Sequence, residues 1–183
     1  MKVSSWSALP LIVQPPSWTR WWWAQQSPAR FLVSNVGITG QTVRMGAWGE
    51  GPFEDDDASD WAYQFDGVDE TTGVQIVSEA LNLGGPDEYV EAPEGTTAVA
   101  AAAVVSWLRD PGAIPDSPYG EAASTWVRRA SPTPNASLTT AALTALDRVR
   151  SDQSELAELW AEGEGTAWRA SLSQIETRLR SHG

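Results

Sequence analysis

Ten consecutive residues, Thr97 to Ser106, carry no charge, and eight of them are Ala or Val. Coiled into a helix, this stretch is apolar nearly all round, so other elements must surround it. The spacing predicts a helix from about Thr96 or Thr97 to Leu108, stopped by Asp110-Pro111-Gly112 and placed at the centre of the fold. Its alanines let neighbouring helices approach closely. Its longest apolar run, Ala98 to Val105, falls far short of the ~18–20 residues needed to cross a bilayer.

The segments on either side read as helices that could do the surrounding. Ala58, Trp61, Ala62 and Phe65 fall at i, i+3, i+4 and i+7, one buried stripe of a helix starting near Asp55 or Asp56. Acids in that first turn would face the positive end of the helix dipole. A second helix is expected from about Asp69 to Leu83, ended by Gly84-Gly85-Pro86. Tyr119 to Ala130 forms a shorter one with Trp126 and Val127 inward, and another runs from Leu138 to Val149. Asp152 and Glu155 have capping-box spacing ahead of Leu156, Leu159 and Trp160. Trp168, Leu172, Ile175 and Leu179 make the cleanest amphipathic pattern in the chain. Alternating patterns are scarce, and Tyr89-Val90 is too short to count as a strand. The expectation is an all-α, single-domain helical bundle of about six or seven helices, with a disordered or irregular N-terminal extension.

That extension covers residues 1–44. It contains Trp6, Trp18, the run Trp21-Trp22-Trp23, four prolines and no acidic residue. The stretch Leu9 to Val13 is interrupted by Pro10 and ends at Pro15-Pro16, too short for a signal peptide, and the tryptophans share no helical face for membrane binding. Composition changes abruptly at Met45, the only internal methionine. Residues 1–44 are therefore expected to be a mis-assigned start, and residues 45–183 to be the domain.

Charge and residue types exclude more chemistry than they suggest. All 24 Asp and Glu residues lie beyond Met45 against eight Arg, a net charge of −16 there. Such a surface repels phosphate backbones, so no nucleic-acid partner is expected, and a basic protein is the natural counterpart. The chain has no Cys, its one His is His182, and its one Lys is Lys2. Thiolate, Ser-His-Asp, His-zinc and Schiff-base chemistry are accordingly not expected in the domain. The missing Cys suits a reducing cytoplasm. No catalytic residue, cofactor or membrane contact is assigned.

What remains is a run of carboxylates. Glu54, Asp55, Asp56, Asp57 and Asp60 place five acids in seven residues. On a helix, Asp56 and Asp57 come near Asp60, and hard cations take oxygen ligands of this kind. Glu54, Asp56, Asp57 and Asp60 are therefore binding candidates, with Asp56, Asp57 and Asp60 as the metal ligands if there is a metal. The alternative use of the run is to cap a helix. Trp48, between Gly46 and Gly49, is a fifth binding candidate, while Trp61, Trp107, Trp160 and Trp168 are expected in the core. Asn135-Ala136-Ser137 matches a glycosylation sequon without a secretory signal beside it.

The stretch MGAWGEGPFEDDDASDW, Met45 to Trp61, resembles the opening signature of the bacterial DUF4259 family of unknown function. Ser154 to Trp160, followed by Trp168, resembles a later region of that family. The resemblance implies a helical fold that begins at Met45. It brings no catalytic residue with it. Two functions are consistent with these features. The leading one is an acidic protein-interaction or regulatory domain of the bacterial cytoplasm, immunity-like in type. The other is a carboxylate- or metal-dependent enzyme built on Glu54 to Asp60, with Arg128 or Arg129 for an anionic substrate.

Overall fold

A computed structural model describes residues 49–130, 132–161 and 165–181. The extension expected over residues 1–44, Trp48 and His182 lie outside them. Among the described residues there are seven α-helices: α1 Asp56–Ala62, α2 Glu70–Ala80, α3 Ala92–Arg109, α4 Glu121–Ala130, α5 Ala136–Val149, α6 Glu155–Ala161 and α7 Thr166–Ser181. Short 3-10 turns follow α1 and α3, at Tyr63–Phe65 and Pro111–Ala113. No described helix is long and apolar enough to cross a membrane.

The uncharged stretch sits where its composition requires. Every residue from Ala98 to Leu108 on α3 is buried, and α3 packs against all six other helices, most extensively α5 and then α7. α3 begins at Ala92, four or five residues before the expected start. Pro93 reads as a breaker in sequence, but in the first turn its missing N–H costs nothing.

The cap that fixes this start comes from another helix. The Glu91 side chain makes no capping bond, and the Ala92 N–H donates to the Glu155 carboxylate at 2.8 Å. The capping box expected between Asp152 and Glu155 therefore does not form, because Glu155 reaches across to α3. An isolated parallel bridge between Val90 and Ser154 holds the two segments together. In it the Val90 N–H donates to the Gln153 carbonyl at 2.8 Å, and the Glu155 N–H donates to the Val90 carbonyl at 3.0 Å.

Three other helices carry side-chain caps of their own. Asp55, Asp69 and Asn135 accept from the N–H groups of Asp57, Thr72 and Leu138 at 2.9, 2.8 and 2.8 Å. Asn135 thus starts α5 at Ala136, ahead of the expected Leu138. α2 stops at Ala80 rather than Leu83, and α4 starts at Glu121 rather than Tyr119, which stays exposed.

The expected stripes of α1 and α7 are buried as spaced: Ala58, Trp61, Ala62 and Phe65, and Trp168, Leu172, Ile175 and Leu179. α6 departs from expectation. Leu156 is buried, but Leu159 is exposed and Trp160 is only half-buried, its ring stacked on Trp168 at 5.8 Å. At seven residues, α6 is two turns long and covers α3 with a single side of its surface.

Candidate functional site

Within the Gly49–Trp61 motif, Phe53, Ala58 and Trp61 turn inward. Phe53 is buried between Trp61 and Trp107, with ring centroids 6.5 and 5.1 Å away. Gly120 lies against the Phe53 ring at φ +72°, where a Cβ would come within 2.7 Å of it. Both the backbone conformation and the space demand glycine there. The Glu54 carboxylate folds back to accept from the Gly51 N–H at 3.0 Å, closing the turn before α1. Asp55 caps α1. Its carboxyl is held above the usual range, first by burial and then, against the bond from the Asp57 N–H, by the neighbouring charges of Asp57 and Asp56.

Asp56, Asp57 and Asp60 remain exposed on α1. Among the described residues, no three Asp, Glu or His side chains are placed to hold a metal ion. The sequence candidates thus divide in two: Glu54 is engaged in local structure, and Asp56, Asp57 and Asp60 lie on a solvated face. Of the two arginines considered beside them, Arg129 donates to the Val68 carbonyl and Arg128 to Ser124 Oγ at 3.4 Å. Arg129 lines a cleft of about 300 Å³ with Asp66 and Glu121, but none of Glu54, Asp56, Asp57 and Asp60 lines it.

A different surface gathers carboxylates from separate parts of the chain. A groove of about 680 Å³ runs between the end of α2 and the start of α3. Glu79, Glu88, Glu91 and Glu94 line it, together with the half-exposed ring of Tyr89. The Tyr89 hydroxyl is pushed up by reduced contact with solvent, then by the charge of Glu158 and a hydrogen bond to it, and then by Glu155 and Glu91. Glu91, Glu155 and Glu158 thus lie near the Tyr89 hydroxyl, and Glu79, Glu88 and Glu94 line the same groove. Arg148 on α5 holds the loop in place, donating to the carbonyls of Gly85 and Glu88. Glu88 Oε2 also accepts from the Gly85 N–H at 2.6 Å.

The groove was not singled out from sequence, although Asp87-Glu88-Tyr89-Val90-Glu91 contained a signal. The apolar pair among these acids is too short for a strand, and it forms only an isolated bridge, at Val90. The bridge sets Val90 beside Ser154 at the start of α6, and the adjacent Tyr89 lies near Glu155 and Glu158.

A second groove, of about 720 Å³, shares Glu79, Asn82, Leu83 and Gly84 with the first and continues along α5. Its α5 wall carries Ala136, Ala141 and Ala145 and ends at Arg148.

The family model described as "Domain of unknown function (DUF4259)" matches residues 46–171. The chain belongs to the DUF4259 family. The match takes in α1 to α6 complete and the first turns of α7, so the inward-turned motif and both grooves lie within the DUF4259 domain. No curated protein and no solved structure matches the chain.

Proposed function

We propose that the DUF4259 domain is a protein-interaction module, regulatory in type, whose acidic surface engages a basic partner. The observation that carries this reading is the groove that the half-exposed Tyr89 lines with Glu79, Glu88, Glu91 and Glu94, with Glu155 and Glu158 near its hydroxyl. A guanidinium or ammonium group gains from carboxylates by charge and from an aromatic face by cation–π attraction, and this groove offers both. The net charge of −16 beyond Met45 would steer such a partner toward it. The residue types supply binding groups more readily than nucleophiles or bases: the region beyond Met45 has neither Cys nor Lys, and one His.

Parallel affinity capture from the native cell lysate at low salt tests the reading, with wild type and the double variant Glu91→Gln, Glu94→Gln as baits. Both side chains are exposed, so the variant folds. A basic protein held by wild type and released by the variant, and by salt, is the expected result. Equal capture on both baits, or no partner on either, would overturn it.

A further inference from the structure

A second cleft, of about 420 Å³, has the opposite electrostatic character. It lies where the end of α5 meets α6 and α7, and Arg150, Arg169, Ser173, Glu176, Trp168 and Ala157 line it. Arg150 Nη1 pairs with Glu176 at 2.7 Å and lies 3.9 Å from the mostly exposed Asp147. Glu176 is shared, because its other oxygen takes Arg180 at 2.9 Å. These two arginines hold its carboxyl below the usual range, Arg150 foremost. Of the charged side chains that line the cleft, two are arginines, Arg150 and Arg169, and one is an acid, Glu176.

The pairing of Arg150 is incomplete. Its Nη2 is buried and has no hydrogen-bond partner. A guanidinium is a planar fork, and a fork with one prong engaged and the other buried without an acceptor is an unfinished recognition element. The Ser173 hydroxyl on the same cleft donates to the Arg169 carbonyl at 2.8 Å and is not bonded to Nη2. Glu176 takes Arg150 through Nη1 alone, and its other oxygen takes Arg180.

We infer that this cleft binds a small oxyanion, a phosphate or carboxylate group, between Arg150 and Arg169. Its volume suits a small ligand, within the range of roughly 300–1,000 Å³ typical of such sites. Oxyanions accept in the plane that a guanidinium presents, and a neighbouring positive charge adds to the attraction. The inference is independent of the basic-partner reading, which concerns the glutamate groove.

Calorimetric titration of the full chain tests it, with inorganic phosphate as one probe and a short peptide, as free acid and as amide, as the other. Chloride at matched ionic strength is the background. Saturable binding of phosphate points to a free anion, and binding of the peptide acid but not the amide points to a chain terminus. Arg169→Gln, at an exposed position, is expected to weaken the bound probe about tenfold, the size of one hydrogen bond to a charged group. Glu176→Gln removes the carboxylate that competes for Arg150 and is expected to tighten binding, a gain that a purely structural role would not give. No saturable binding by any probe, unchanged affinity in Arg169→Gln, or no tightening in Glu176→Gln would each overturn the inference.

Discussion

Gly73 shows how far a single hydrogen atom can matter in this core. It is buried on α2 against the indole of Trp126, where an added Cβ would sit 2.2 Å from the ring. Trp126 cannot yield easily. It is fully buried, its Nε1 donates to the Asp69 carbonyl at 3.1 Å, and Phe65 packs on its ring at 5.0 Å. Gly73→Ala would ordinarily favour a helix, by up to about 1 kcal/mol. Here overpacking, at roughly 1–3 kcal/mol, outweighs that gain. Urea denaturation should therefore show a net loss for Gly73→Ala. Combined with Trp126→Phe, which removes the ring atoms in the way, the loss should be less than the sum of the two single changes. Strict additivity would mean that the ring does not oppose the added methyl.

Among the elements, α3 is the one whose N-terminus depends on a residue 63 positions away. Glu155→Ala strips the acceptor from the Ala92 N–H and is expected to cost about 1 kcal/mol, the usual worth of a capping group. Glu155→Gln keeps an acceptor oxygen and should recover most of that loss. Equal melting temperatures for Glu155→Ala and wild type would show that solvent caps α3 equally well.

This same contact marks the limit of what the sequence makes legible. Periodicity reports which face of a helix is buried, because burial repeats every 3.6 residues. It placed Trp61, Trp126, Leu172 and Ile175 correctly, and it placed α3 at the centre. The distant cap on α3, the Val90 bridge and the exposure of Leu159 arise from pairings between segments, which leave no periodic trace. The candidate site follows the same division. The run Glu54 to Asp60 is contiguous and catches the eye, yet Glu54 and Asp55 are occupied in closing a turn and capping a helix. The glutamates around Tyr89 come from α2, the loop before α3, α3 itself and α6, and only folding assembles them.

For the whole molecule, the imbalance of charge sets the response to solvent. Among the described residues few ion pairs offset the acids, and the bridges of Arg150 and Arg180 both converge on Glu176. Self-repulsion of this kind opposes compaction, and salt weakens it once the screening length falls to ~10 Å near 0.1 M. The melting temperature at neutral pH is therefore expected to rise with sodium chloride from low salt to about 0.3 M. A fall over that range would mean that the Arg150–Glu176–Arg180 cluster contributes more than the repulsion of all the other acids.

The central place of α3 also bears on how the chain is made. Synthesis delivers α3 as residues 92–109, while its largest partners, α5 and α7, follow at 136–149 and 166–181. Until they emerge from the ribosome, this largely apolar helix has only α1, α2 and α4 to shelter it. Domains generally fold as units as they are synthesised, and apolar surface exposed in the interval invites aggregation. In this fold the helix that organises the structure is complete in the nascent chain well before α5 and α7 arrive to cover it.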